Sequence, residues 1–193
     1  VRTGPNVTHE RRRALVTDCP VGQYFNAAHW VGLVRGACEE STLISYSLWM
    51  SRVNTYLNFM GTAEEAFTFY KGVFDSDYVS PIVRFADMPF GDDGPHVTPD
   101  ELQKIMHIEL PIINGHVLMA SDMLPSLGHE IRVGNNTTIS LELDSRDEAQ
   151  RLYDELSQGA SDATGMNDMP WGAYWGCCLD RFSIRWMIST TRD

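Results

Sequence analysis

Asn54-Thr55-Tyr56-Leu57-Asn58-Phe59, then Thr62-Ala63-Glu64-Glu65-Ala66 and Tyr70, recurs in residue class as Asn136-Thr137-Thr138-Ile139-Ser140-Leu141, then Ser145-Arg146-Asp147-Glu148-Ala149 and Tyr153. Each copy reads as a strand feeding a helix. Leu57 and Phe59 alternate with Tyr56, Asn58 and Met60, and Ile139, Leu141 and Leu143 keep the same period of two, so each strand has one face towards a core. The helices carry apolar stripes at i, i+3, i+4 and i+7: Ala66, Phe69, Tyr70 and Val73 in one, Ala149, Leu152, Tyr153 and Leu156 in the other. Thr62 with Glu65, and Ser145 with Glu148, have the spacing of capping boxes, in which hydroxyl and carboxylate satisfy each other's backbone N–H groups. An internal duplication follows, and folds built of two equal halves often place a pocket between or inside them.

Outward from the first copy, 79–85 reads as a second strand and 86–100 as a loop crowded with Pro89, Gly91, Gly94, Pro95 and Pro99. Strands over 105–112 and 116–123 flank Asn114-Gly115, a strong hairpin signal. The first half is therefore β-α-β-β-β, about 53–123. In the second half, about 136–190, the last hairpin comes from 171–179 and 184–190, with one weakly signalled strand between Ala160 and Met166. The predicted class is α+β. Residues 1–49 have no sustained period and share nothing with the later repeats; they read as an N-terminal extension, poorly ordered or loosely docked, the alternative being an extra helix packed on the domain.

The chain has 193 residues, 43% of them hydrophobic, which suits one good-sized domain or two small modules sharing a core. Its formal net charge of −11 opposes binding to nucleic acid or an anionic membrane. That acidity belongs to the duplicated part, because ten basic and twenty-two acidic residues lie from Met50 onward. No run approaches the roughly 18 apolar residues a spanning helix needs. A cytoplasmic protein is expected. Cys19, Cys38, Cys177 and Cys178 have neither metal-site spacing nor the density of a secreted disulfide framework, so Cys177 and Cys178 read as reduced packing residues.

Several side chains are candidates for a site. His107 and Glu109 stand two apart on a strand, hence on one face, as half a metal site or an acid/base pair; the competing reading is a solvent-facing pair at the core rim. Asp122 ends an apolar strand and suits either a ligand or the capping of the next turn. Tyr56 and Asn58, opposite Leu57 and Phe59, suit pocket lining or cross-strand pairing. Trp171, Tyr174, Trp175 and Trp186 suit the wall of an apolar cavity or an ordinary core. The chain has no G-x-G-x-x-G after a strand, no Walker loop, no G-x-S-x-G and no H-E-x-x-H, so dinucleotide, nucleotide, serine-hydrolase and zincin chemistries lack support.

From Met50 onward the sequence resembles the PhnB-like branch of the glyoxalase/bleomycin-resistance/dioxygenase superfamily, also called vicinal oxygen chelate proteins. The resemblance lies in Tyr56-Leu57-Asn58-Phe59 with Glu65-Ala66-Phe67 and Phe69-Tyr70, Asp87-Met88-Pro89, Met106-His107-Ile108-Glu109-Leu110, Leu118-Met119-Ala120-Ser121-Asp122, and Trp171-Gly172 through Asp180-Arg181-Phe182 to Trp186-Met187-Ile188. It implies two βαβββ modules forming a curled mixed sheet around a cavity, and a homodimer with shared or paired sites. Metal-dependent members carry His, Gln or Glu on the first and last strands of the modules. Those positions fall on Tyr56, Thr138 and the neighbourhood of Met187 here, none a usual divalent-metal ligand. Arg181 and Ser183 stand where many relatives have Pro and Gly, which matters if that turn needs positive φ. The expectation is a metal-free, cofactor-free small-molecule-binding protein whose cavity draws on Tyr56, Asn58, His107, Glu109, Asp122, Trp171, Tyr174 and Trp186. The alternative is a metal-dependent lyase, isomerase or dioxygenase using His107, Glu109 and Asp122.

Overall fold

Tyr56 and Asn58 alternate with Leu57 and Phe59 along β1 (Thr55–Phe59), and the apolar members of this alternation meet α1 (Ala63–Val73), the helix that follows. The computed structural model describes residues 51–192 apart from 91–93 and 95; the expected extension over 1–49, with Cys19 and Cys38, lies outside the described residues. The first half continues with β2 (Val83–Arg84), α2 (Pro99–Leu102), β3 (Ile105–Pro111) and β4 (Val117–Asp122). The second half holds β5 (Ile139–Glu142), α3 (Arg146–Leu156), β6 (Asp162–Ala163), β7 (Asn167–Asp168), β8 (Tyr174–Leu179) and β9 (Arg185–Thr190).

The duplication recurs in topology. The first sheet has strand order β1-β4-β3-β2; the second has β5-β9-β8-β6, with β7 also paired to β8. In each, the strand before the helix runs parallel to the last strand of its half while the other pairs are antiparallel. The two mixed sheets are not closed into a barrel. Asn114 and Gly115 turn between β3 and β4 at φ 51° and 75°, the pair of positive values that the favoured hairpin turn requires.

Three local expectations change. The strand expected over 79–85 narrows to Val83–Arg84, because Pro81 has no N–H to give the ladder and the Arg84 N–H donates to Asp87 Oδ2 at 2.8 Å, opening a 3₁₀ turn at Phe85–Asp87. The single weak strand between Ala160 and Met166 becomes β6 and β7, separated where Gly165 takes φ 74°. Thr62 makes no side-chain cap to α1. Its place is taken by Asp122, whose Oδ1 accepts from the Ala63 N–H at 3.0 Å while Oδ2 accepts from the Ile105 N–H at 2.9 Å. On α3 the expectation holds in part, since the Ser145 hydroxyl accepts from the Glu148 N–H at 3.3 Å.

One core runs through both halves. Phe59, Ala66, Phe67, Tyr70, Ile108, Leu110, Leu118 and Ala120 join Leu141, Leu152, Leu156, Cys178, Trp186 and Ile188 in a single buried cluster. In α1 it is Phe67, rather than the expected Phe69, that is fully buried; Phe69 stays half-buried under Phe182, with the Arg181 guanidinium 4.2 Å from its ring centre. The seam is fastened at Asp180, buried among Tyr70, Phe182 and Trp186. Its Oδ2 accepts from the Tyr70 hydroxyl of the first half at 2.7 Å and from Trp186 Nε1 at 2.8 Å. Its Oδ1 accepts from the N–H groups of Phe182 and Ile184 at 2.8 and 2.9 Å, holding the β8–β9 turn in which Ser183 takes φ 66°. The turn does need positive φ, and this chain meets the need with serine.

Candidate functional site

Strand parity leaves each sheet with one face on its helix and one face open. On the first sheet the registers set Tyr56 beside Met119 and Met119 beside Glu109; the next row holds Asn58, Ser121 and His107, with Val83 opposite His107. Leu57, Phe59, Ile108, Leu110, Leu118 and Ala120 turn the other way, into the core. Four of the eight expected site residues, Tyr56, Asn58, His107 and Glu109, thus share this open face.

Their geometry is that of an interacting polar set. His107 Nε2 and Glu109 Oε1 are 2.8 Å apart, both side chains half-buried. The Tyr56 ring stacks on the imidazole with centroids 6.0 Å apart and planes inclined by 26°. Burial raises the Tyr56 hydroxyl above its ordinary pKa, Ser121 acts in the opposite direction, and the nearby Glu109 charge adds to the rise. A carboxylate that grips an imidazole fixes its orientation and tautomer, so this face can recognise hydrogen-bonding ligands or move a proton.

The other four expected residues are elsewhere. Asp122 follows the parity of Leu118 and Ala120 to the helix side, where both of its oxygens are taken by backbone amides. Trp186 is wholly buried, its indole N–H given to Asp180. Tyr174 also faces the helix: its hydroxyl bonds Gln150 of α3, and the Arg146 guanidinium lies 4.3 Å from its ring centre. Trp171 projects outward at 70% exposure.

Two residues of the open face, Met119 and Ser121, were not anticipated. Their signal was present: once Leu118 and Ala120 are core, the period of two sends Met119 and Ser121 to the other side. The second sheet repeats the arrangement. Ser140, Met187 and Cys177 form one row, and Glu142, Ser189 and Trp175 the next. Aligning Leu118-Met119-Ala120-Ser121 with Trp186-Met187-Ile188-Ser189, which match in residue class, sets Met187 against Met119 and Ser189 against Ser121, and the pairings then set Leu141 against Leu57. Glu109 and His107 are replaced there by Cys177 and Trp175. On that alignment Ser140 stands against Tyr56, two residues on from the Thr138 of the sequence repeat.

These residues do not fit a divalent-metal centre of the kind the resemblance implies. Tyr56, Thr138 and Met187, and Ser140 beside Met187, are not usual divalent-metal ligands, and His107 with Glu109 is a pair whose proposed third member, Asp122, faces away. Among the described residues no three His, Cys, Asp or Glu side chains come together as a metal site. Two surface depressions, of about 550 and 410 Å³, lie along α1 rather than on either sheet face; Arg181 and Phe69 line the first, Lys71 and Asp77 the second.

The profile of the Glyoxalase/Bleomycin resistance protein/Dioxygenase superfamily matches residues 52–188, and the chain belongs to that superfamily. Among solved structures, protein PA1353 from Pseudomonas aeruginosa is 30% identical, aligned over 75% of this chain and 100% of its own, with a TM-score of 0.63. The PhnB protein from Bacillus cereus has the same fold at 23% identity and a TM-score of 0.57, covering 72% of this chain and 99% of its own. No curated protein matches the chain. Among the described residues no helix is long and apolar enough to cross a membrane.

Proposed function

We propose that the protein binds a small molecule on the open face of its first sheet, using Tyr56, Asn58, His107 and Glu109 and no bound metal. The observation that carries this reading is the His107–Glu109 hydrogen bond of 2.8 Å beneath the stacked Tyr56 ring: a polar and aromatic group gathered where core packing does not demand it. The superfamily supplies the precedent of ligand sites on such sheets. A cytoplasmic homodimer that leaves nucleic acid and membranes alone, with the domain running from residue 50 to 193, completes the proposal; sedimentation velocity tests the dimer.

The test combines metal analysis with a thermal-shift screen. Protein purified without added metal is analysed for metals and titrated with Zn²⁺, Ni²⁺ and Mn²⁺. It is then screened against aromatic and antibiotic compounds. A ligand at about 100 times its Kd stabilises the native state by about 2.7 kcal/mol, which raises Tm by on the order of 8 °C for a domain of this size. The expected hit acts on the wild type and fails on Tyr56→Ala and His107→Ala. Tight stoichiometric metal binding abolished by His107→Ala would instead establish the metal-dependent lyase, isomerase or dioxygenase reading.

A further inference from the structure

We infer that the ligand of the first sheet's open face is an aromatic cation or neutral hydrogen-bond donor, and that the face rejects aromatic carboxylates and phosphates. The inference rests on the binding function proposed above and adds the chemical class of what is bound. It starts from which polar atoms the face leaves uncommitted. A carboxylate only accepts, so in the His107–Glu109 contact the Nε2 carries the hydrogen and donates it to Oε1. When the imidazole is neutral, its Nδ1 holds an acceptor lone pair. Neither Nδ1 nor Glu109 Oε2 has a hydrogen-bond partner among the described residues. Glu109 Oε2 offers lone pairs and no hydrogen, and Nδ1 does the same when the imidazole is neutral.

The surroundings reinforce that polarity. Ser121, Met119 and Asn58 are uncharged, and the face's fixed charge is that of Glu109. Three cationic side chains of the same half are committed elsewhere: Arg84 donates to both oxygens of Glu64 and to the Gln103 carbonyl, Lys104 donates to the Gly61 carbonyl, and Lys71 pairs with Asp77; Arg52, exposed ahead of β1, has no such bond among the described residues. His116 is tied to the Thr55 hydroxyl. The chain's net charge of −11 adds a long-range field of the same sign. The Tyr56 ring, stacked at one edge of the set, supplies an aromatic surface with a negative face, which attracts a flat cation and repels a flat anion. The second sheet has Glu142 and Trp175 in one row but no His–Glu pair, since Cys177 and Trp175 stand where the first has Glu109 and His107, so the selectivity set by that pair belongs to the first face.

Benzamidinium and benzoate, equal in size and opposite in charge, are the probes. Each is titrated into ¹⁵N-labelled protein while the ring-nitrogen shifts of His107 and the backbone amides of β1, β3 and β4 are followed. The expected result is a His107 resonance pattern with the proton on Nε2 and binding of benzamidinium at least tenfold tighter than benzoate. The difference should fall below threefold in Glu109→Gln, with Glu142→Gln unchanged. Benzoate binding as well as benzamidinium, at the same amides, overturns the selectivity and leaves the binding function standing. A benzamidinium preference that persists in Glu109→Gln overturns the role of Glu109. If neither probe moves these resonances while Trp175 responds, both readings of the first face fail.

Discussion

Replacing Asp180 by asparagine keeps the shape of the side chain and removes half of its capacity to accept. The carboxylate serves four donors: the Tyr70 hydroxyl, Trp186 Nε1 and the N–H groups of Phe182 and Ile184. An asparagine whose oxygen stays with the two backbone donors turns its NH₂ towards Tyr70 and Trp186. Tyr70 can rotate its hydroxyl to accept, but the indole only donates and is stranded. An orphaned buried donor costs about 1–3 kcal/mol, and the three surviving bonds each lose the advantage of a charged acceptor, about 1 kcal/mol apiece, so Asp180→Asn should destabilise the domain by about 4–6 kcal/mol. Equilibrium urea unfolding followed by tryptophan fluorescence reads this directly. With an m-value of about 2 kcal/mol/M, the midpoint should fall by about 2–3 M. Tyr70→Phe, measured in both backgrounds, should show a coupling of about 1 kcal/mol or more. A loss under about 1 kcal/mol for Asp180→Asn, or strict additivity with Tyr70→Phe, would refute the idea that this carboxylate fastens the two halves.

The remaining predictions concern the same half of the molecule. Ser183→Gly should stabilise by about 0.5 kcal/mol, because relief of a left-handed serine, about 1 kcal/mol, outweighs glycine's extra freedom in the unfolded chain; calorimetry showing a lower Tm would contradict it. Gly176→Ala should destabilise by about 2 kcal/mol or more, since the new Cβ would sit 2.7 Å from both the Gly165 carbonyl oxygen and Met166 Sδ, and the backbone atom cannot step aside; a urea midpoint within error of wild type would count against that packing. Burial first, then the Asp180 charge, pushes the Cys178 thiol from its ordinary 9.0 to about 12. The folded state therefore keeps a proton that the unfolded thiol has released, and stability, complete below pH 9, should decline as pH rises from 9 towards 12. Cys178→Ala should make that decline shallower between pH 9 and 11, and an unchanged slope would assign it to other groups.

The duplicated strands and helices were legible because their signals are local. An apolar period of two or 3.6 is written in neighbouring residues, and so is the Asn114-Gly115 turn. The stripe Ala149, Leu152, Tyr153 and Leu156 is buried as the spacing requires. Asp122 was ambiguous for a different reason. Whether a carboxylate at a strand end binds a ligand or caps a helix depends on how near Ala63 and Ile105 come, which no short window contains. The aromatics followed the same division. Tyr174 and Trp175 are adjacent and both plausible as pocket walls, yet the pairing of Gly176 with Ile188 is what sends Tyr174 to α3 and Trp175 to the open face. His107 and Glu109, whose partnership spans one intervening residue, could be read as a pair without any tertiary knowledge.

Because both halves are carried on one polypeptide, their equivalent positions mutate independently. Met119 and Met187, and likewise Ser121 and Ser189, remain the same, while His107 and Glu109 face Trp175 and Cys177 as their counterparts. In an assembly of two identical single modules, any change at such a position would be made twice. A fused duplicate can specialise one face and leave its twin free to drift or to acquire a separate task.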